Sequence, residues 1–240
     1  MLDKKMVFLQ ILINNLILCS VYSLMSLGFS LYYYTTGVFN LAYATIFMIS
    51  PYFLLLFFSI FSIPLYISII LSLILTILIA LSIEYLIYLP LMRKKASLNI
   101  SMISSIGVMI ILVNLVILIF GNESKIIDTR ISESNELGGL IFSDRQLIQL
   151  ITSILIIIIY HIIIKYTQIG LRIRAINFDY YLSQIFGLNS FKYQIYVVII
   201  SSVLAFSASI LIAIDVGMDP YVGMPVFLFA VVAMIIGGNG

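Results

Sequence analysis

Side chains that could do chemistry are few in this sequence of 240 residues, and they do not form a catalytic set. His161 is the only histidine, and there is no Ser-His-Asp set, no Cys/His cluster with metal spacing and no nucleotide-binding Gly-Lys-Ser/Thr loop. We therefore predict no enzyme activity, no catalytic residue, no metal site and no cofactor bound by this chain. His161 itself is interpreted as a packing or interfacial residue near the end of a helix.

Glu84 is the one carboxylate inside a long apolar run, in the stretch SIEYLIYLPLMRKK. Charged residues within a membrane usually mark ion or proton pathways. Glu84 precedes Pro90 and a basic loop, so we expect it to reach the membrane surface and to pair with Arg93 or a neighbouring lysine. The sequence has no carboxylate deeper in an apolar run, which argues against a proton-coupled carrier.

One segment, residues 165–192, concentrates charge in a chain that is only 9% Asp, Glu, Lys and Arg. Its charged residues are Lys165, Arg172, Arg174, Asp179 and Lys192. Apolar residues recur between them at helical spacing, namely Leu171, Ala175, Phe178, Leu182 and Ile185. The pattern predicts an amphipathic helix in a segment longer than most connections between helices. Its apolar face would lie on the lipid surface or in a groove on a partner, and composition does not choose between the two.

The elements that must position these residues are membrane helices. The chain is 63% apolar, against about 45–50% for soluble domains, and its mean hydropathy is +1.22. Several apolar runs reach the roughly 20 residues that a spanning helix needs, without the alternation of a β-barrel. The net charge of +2 does not indicate nucleic-acid binding, and Cys19, the only cysteine, is interpreted as a residue inside a helix.

The predicted fold class is therefore all-α. We expect residues 1–240 to form a single transmembrane domain, a polytopic helical bundle of about seven spans or partial spans. The predicted spans are residues 7–31, 38–61, 64–89, 98–120, 147–164, 193–214 and 225–236.

Loop charges predict the orientation, because Lys and Arg are retained on the cytosolic side. Arg93-Lys94-Lys95 and residues 165–192 are expected inside. The acidic loop 121–146 and the turn 215–219 are expected outside. Three spans before Arg93 would place Lys4 and Lys5 outside, against the same rule, so the arrangement of the N-terminal half is left open.

Polar residues and a glycine interrupt the apolar pattern between residues 32 and 51. Such backbone is tolerated at membrane depth where it is buried in protein or lines a cavity, and breaks of this kind often mark substrate sites in transporters. A short loop between two ordinary helices explains the pattern equally well. Under the first interpretation, the predicted substrate-pathway residues are Thr36, Gly37 and Asn40, with Asn14 in the first helix. Packing of polar groups between helices would also explain the Asn and Thr residues.

Four short motifs follow one another along the chain. The first is Glu84, Tyr88 and Pro90, and the second is Ile103-Ser104-Ser105-Ile106-Gly107 with Asn114. The third is Gly170, Arg174, Ala175 and Asp179, followed by Phe186-Gly187-Leu188-Asn189. The fourth is Pro220 and Gly223, followed by Gly237, Gly238 and Gly240. Together, and in this order, they resemble the motifs of the permease subunits of branched-chain amino acid ABC importers, along nearly the whole chain.

The resemblance implies a role for residues 165–192 as the cytosolic coupling loop that docks on an ATPase subunit. The residues it singles out there are Gly170, Arg172, Arg174, Ala175, Asp179 and Gly187. Arg172 and Arg174 would contact acidic residues at the rim of the groove or anchor the loop. The implied partners are two cytosolic ABC ATPases that bind ATP and Mg, a second homologous permease and an extracytoplasmic substrate-binding protein, in the bacterial inner membrane.

The chain also departs from the family pattern. Tyr43-Ala44-Thr45 stands where the family has His-Gly-Glu, Phe229 stands where a Lys is common, and the chain ends at Gly240 where relatives continue. Three functions therefore remain open. They are import of branched-chain or other neutral amino acids, import of urea, short amides or another small polar solute, and assembly without transport by a degenerate subunit.

Overall fold

A computed structural model describes residues 4–94, 96–127, 134–137 and 140–238 of the chain. Lys95, residues 128–133 of the acidic loop and Gly240 of the fourth motif lie outside the described residues. The helices of the first half are α1 (Lys4–Thr36), α2 (Ala42–Leu55), α3 (Leu65–Ile83), α4 (Leu89–Arg93) and α5 (Leu98–Phe120). The elements that follow are strands β1 (Ser134–Leu137) and β2 (Leu140–Ser143) and helices α6 (Asp144–Tyr166), α7 (Gln168–Phe178), α8 (Tyr180–Ile185), α9 (Ser190–Asp215) and α10 (Gly223–Gly237). A π-helical turn, Leu56–Ile60, extends α2, and a second one, Glu84–Tyr88, joins α3 to α4.

The described residues include six helical segments that are long and apolar enough to cross a membrane. They are Val7–Thr36, Ala42–Ile60, Leu65–Arg93, Leu98–Phe120, Asp144–Tyr166 and Ser190–Asp215. The helix α10 is apolar but shorter. The chain is thus an integral membrane protein, and the prediction of a polytopic helical bundle with about seven spans or partial spans is confirmed. The short antiparallel pair β1–β2 is an addition that the sequence analysis did not predict.

The helices α2 and α9 form the centre of the bundle. Every residue of α2 except Phe53 is buried, and α2 packs against α3, α5, α9 and α10. The helix α9 also packs against α1, α3 and α6. Inside this core the Tyr43 hydroxyl donates to the Ser201 carbonyl at 2.8 Å. The outer faces of α3, α5 and α6 expose Ile and Leu side chains, as expected of surfaces that meet lipid.

The bundle has two chemically different ends. At the end that we call acidic, the loop after α5 pairs with the turn after α9, because the backbone N–H groups of Lys125 and Met218 donate to each other's carbonyls at 2.9 and 2.8 Å. At the opposite, basic end, the Arg93 guanidinium lies 5.8 Å from the centroid of the Phe191 ring. The two basic segments thus lie at one end and the acidic turns at the other, as the loop charges predict.

The connection between α1 and α2 is short, Gly37–Leu41, so the alternative of an ordinary loop between two helices is the one observed. It lies at the basic end, where Gly37 faces Leu98 at the start of α5. Because α1 also contacts β2 beside the acidic loop, α1 runs from the acidic to the basic end. Three spans therefore precede Arg93, and Lys4 begins α1 at the acidic end, against the charge rule.

Candidate functional site

The charged segment 165–192 begins with a tight corner between α6 and α7. The Thr167 hydroxyl accepts a hydrogen bond from the Gly170 N–H at 3.2 Å and caps α7. Gly170 is buried so closely against the end of α6 that an added Cβ would lie 2.2 Å from the Ile164 carbonyl oxygen. Only glycine fits this contact without moving backbone, so Gly170 fixes the angle at which α7 leaves α6.

The two arginines of α7 anchor the segment to its neighbours. The Arg172 Nη1 donates to the Tyr193 hydroxyl at 2.6 Å, and its guanidinium lies 5.9 Å from the centroid of the same ring on α9. The Arg174 Nη2 donates to the Lys165 carbonyl at 3.1 Å, near the C-terminus of α6. A cation there also interacts favourably with the helix dipole. Of the two roles considered for these arginines, anchoring is the one that these contacts support.

Asp179 interrupts the segment, so the prediction of a single amphipathic helix is wrong. Its side chain accepts from the Leu182 N–H at 2.9 Å and caps α8. Its own N–H donates the last hydrogen bond of α7, to the Ala175 carbonyl at 3.2 Å. An Asp that caps one helix has non-helical backbone, which separates α7 from α8. Gly187 then turns the chain with a φ of 78°, in the left-handed region that suits glycine.

The apolar residues predicted for this face are exposed in the single chain, and the break at Asp179 divides them between α7 and α8. Phe178 is 91% exposed and Ile185 is 79% exposed, and Leu171 and Leu182 are exposed as well. We call these four side chains, together with the exposed Ala175, the docking face. The opposite side of α7 is buried through Ile173 and Ile176. The segment thus presents apolar surface outward on a support that is packed and hydrogen-bonded on its inner side.

A cavity of about 580 Å³ lies behind the segment, between α1, α6, α7 and α10. Its lining includes Tyr34, His161, Lys165 and Arg174. His161 is exposed at this cavity, which agrees with its interpretation as an interfacial residue. Among the described residues, no group of three or more His, Cys, Asp or Glu side chains could hold a metal ion.

The predicted substrate-pathway residues are not all brought together, because Asn14 lies far from Thr36, Gly37 and Asn40. Asn14 is half-buried in the first part of α1, where its Oδ1 accepts from the Gln10 amide at 3.3 Å. Thr36 lies about 33 Å further along the same helix, at 1.5 Å per residue, where its hydroxyl donates to the Tyr32 carbonyl. Gly37, with a φ of 70°, starts the connection to α2. A role for these residues in the pathway stays a prediction.

Asn40 is the fourth of these residues, and it is buried, with only 4% of its surface exposed. Its Oδ1 accepts from the Tyr88 hydroxyl at 2.6 Å. The bond joins the α1–α2 connection to the π-helical turn after α3. This contact makes Asn40 part of the packing between helices.

Glu84 is buried inside the bundle, so the prediction that it pairs with Arg93 or a lysine is wrong. It is only 2% exposed, and its carboxylate accepts from the Tyr32 hydroxyl at 3.2 Å and from the Gln194 amide. A π-helical turn begins at Glu84, and the side chain contacts α1 through Tyr32 and α9 through Gln194. Glu84 thus joins three helices beside the Asn40–Tyr88 bond.

Sequence reasoning missed Tyr32 and Gln194, the two donors to Glu84. They lie 52 and 110 residues from it in the chain, so no local spacing links the three. The available signal was polarity, because Gln194 and Glu84 are long polar side chains inside apolar runs and each needs a partner when it is buried.

The chain is similar in sequence to known membrane permeases. A family model described as the permease component of branched-chain amino acid transport systems matches residues 11–240. The relatives include the high-affinity branched-chain amino acid transport system permease protein BraD of Pseudomonas aeruginosa. It is 28% identical over 247 residues, which are 97% of this chain and 80% of that protein.

Two further relatives carry the name high-affinity branched-chain amino acid transport system permease protein LivH. The Salmonella typhimurium protein is 26% identical, and the protein of Escherichia coli K12 is 25% identical. Each match covers 100% of this chain and 82% of the relative. No solved structure matches the chain significantly.

Proposed function

Because the chain belongs to the family of permease components of branched-chain amino acid transport systems, we propose that it is the membrane subunit of an ATP-driven importer. The substrates are branched-chain or other neutral amino acids. The observation that carries the proposal is the docking face, an apolar surface exposed at the basic end beyond the tight corner at Gly170. Such a surface fits a groove on a cytosolic partner, as in other recognition of amphipathic helices.

The anchors of α7 give this surface a mechanical connection to the core. Gly170 and Arg174 attach α7 to the end of α6, and Arg172 attaches it to Tyr193 at the start of α9. Since α9 packs against α1, α2 and α3, a displacement of the docking face moves helices at the centre of the bundle. The chain thereby acts as the moving pathway, and hydrolysis takes place in its partners.

The proposed partners are those that ABC importers of this family use. Two cytosolic ABC ATPases bind ATP and Mg and take up the docking face. A second, homologous permease completes the pathway, and an extracytoplasmic binding protein delivers substrate at the acidic end. The setting is the bacterial inner membrane, with the basic end in the cytosol, as the positive-inside rule requires for Arg93, Arg172 and Arg174.

Two alternatives remain distinct candidates. A permease for urea, short amides or another small polar solute would use the same coupling segment. A degenerate subunit is favoured by the loss of His-Gly-Glu at residues 43–45, yet their replacements are integrated into α2. Tyr43 bonds to the Ser201 carbonyl, Ala44 is buried, and the Thr45 hydroxyl donates to the Ala42 carbonyl at 2.6 Å. This packing and the intact docking face support a working subunit.

The test of docking is co-purification of this chain with a candidate ABC ATPase from the same organism. Burying a Phe side chain stabilises a complex by about 1.5–3 kcal/mol, and an Asp at the same position adds a carboxylate that must lose water. We expect Phe178→Asp to weaken association at least tenfold. The control is Lys192→Gln, which changes the net charge by the same amount at an exposed position outside the docking face.

Lys192→Gln should bind within about twofold of wild type. Lys192 lies outside the docking face, and salt screens the interactions of exposed charges that are not in direct contact. Equal retention of the ATPase by wild type and Phe178→Asp would show that the docking face is not the contact.

A further inference from the structure

We propose that a second cavity, near the acidic end, receives the aliphatic side chain of the transported amino acid. This assignment rests on the proposed function and deepens it. The cavity, which we call the outer pocket, has a volume of about 190 Å³ and lies between α2, α5 and α10 beside the turn after α9. The lining residues that carry the argument are Thr45, Met48, Met109, Val113, Asn114 and Met224.

The size of the outer pocket fits a branched aliphatic group. A cavity of about 150 Å³ is enough to hold a benzene ring, so a pocket of 190 Å³ accepts a side chain of three or four carbons.

The lining is apolar but adaptable. Met48, Met109 and Met224 come from three different helices, α2, α5 and α10. Methionine is unbranched and polarisable, so it adjusts to ligands of different shape, which suits a wall that must accept leucine, isoleucine and valine alike. Each methylene that the pocket buries contributes to binding by the hydrophobic effect.

Asn114 supplies the polar group that a zwitterionic ligand requires. Its Nδ2 donates to the Ile110 carbonyl at 2.8 Å, and its Oδ1 has no hydrogen-bond partner among the described residues. A polar side chain in the outer half of an apolar helix is unfavourable against lipid and is found at protein contacts or wet cavities. The free Oδ1 can accept a hydrogen bond from the ammonium group of the ligand.

The outer pocket is formed by close packing of α10 against α2. An added Cβ on Gly223 would lie 2.4 Å from the Ala44 carbonyl oxygen, so glycine permits this approach. The pocket brings Asn114, from the second motif, next to Pro220 and Gly223, from the fourth. Its position beside Pro220 and Tyr221 places it at the acidic end, where the proposed binding protein releases its ligand.

The assignment is tested in the complete importer, reconstituted in proteoliposomes with its ATPases, second permease and binding protein. We compare Met109→Trp, which fills the outer pocket, with Ile111→Trp, which lies on the same helix, is 65% exposed and does not line the pocket. Met109→Trp should lower leucine uptake at least tenfold. The fold-loss of valine uptake should be at least three times smaller than that of leucine uptake. Ile111→Trp should stay within twofold for both.

Equal loss of leucine and valine uptake in Met109→Trp would indicate simple obstruction and overturn the assignment, as would equal effects of the two Trp variants. ATPase co-purification distinguishes failure of the pocket assignment from failure of the proposed function. If wild type binds its ATPase and imports leucine while Met109→Trp behaves as wild type, the assignment falls and the proposed function stands. If wild type shows no ATP-dependent uptake of leucine or valine, the proposed function falls and the assignment with it.

A smaller substitution covers the case in which Met109→Trp does not fold. Cys19 is the only cysteine, so Cys19→Ala gives a thiol-free background. In that background Met109→Cys should react with a membrane-impermeant methanethiosulfonate and be protected by leucine-loaded binding protein, and Ile111→Cys should react at least tenfold more slowly. Similar rates at the two positions would overturn the assignment.

Discussion

Replacing Gly170 by alanine is expected to remove most ATPase association, with a loss on the order of a hundredfold. The added Cβ would lie 2.2 Å from the Ile164 carbonyl oxygen and 2.6 Å from that of Ile163, so backbone must move. Overpacking of this kind costs about 1–3 kcal/mol, and a cost near the upper end corresponds to about two powers of ten in affinity. The corner then opens and the docking face turns away from its partner.

Gly107→Ala on α5 is the matched control, because nothing lies within 4 Å of an added Cβ at that position. Co-purification with the ATPase and a binding titration in detergent measure both variants. The control should bind within twofold of wild type. Normal binding by Gly170→Ala would mean that the angle between α6 and α7 does not determine docking.

The second large effect concerns Glu84. Glu84→Ala should lower the free energy of unfolding by about 3 kcal/mol, because it leaves the Tyr32 hydroxyl and the Gln194 amide buried without their acceptor, at about 1–3 kcal/mol per group. These donors lie on α1 and α9, so the loss loosens the contact among three helices. The free energy is measured by titration with SDS in mixed micelles.

Glu84→Gln separates hydrogen bonding from space filling. Its carbonyl oxygen still accepts one of the two hydrogen bonds, and its volume is nearly that of glutamate, so we expect a loss of about 1 kcal/mol. Equal destabilisation by Glu84→Ala and Glu84→Gln would contradict the view that Glu84 acts as an acceptor shared between helices.

The sequence predicted the parts of this fold that depend on composition along the chain. Apolar runs of about 20 residues define the spans because a helix in lipid must satisfy its own backbone groups. Arg93 and the segment 165–192 share one end because basic loops follow a general charge rule. The exposed apolar residues of α7 and α8 were also predicted, since their helical spacing is local.

The parts that depended on contacts between distant residues were not predicted. Nothing local distinguishes an Asp on the polar face of a helix from an Asp that ends it, so the cap at Asp179 was missed. Glu84 was placed at the surface because Arg93 is near in sequence, whereas its partners Tyr32 and Gln194 are distant. The outer pocket combines three helices for the same reason, and Asn114 gained a role only when α10 was placed beside it.

In the proposed function, the docking face couples this chain to ATP-driven import. The most direct test is ATP-dependent uptake of labelled leucine by proteoliposomes that contain the complete complex and leucine-loaded binding protein. The account predicts uptake by wild type that requires ATP and falls at least tenfold in Phe178→Asp, while Lys192→Gln stays within twofold. Association of wild type with its ATPase without any ATP-dependent uptake of leucine would contradict the claim and leave import of another solute or assembly without transport.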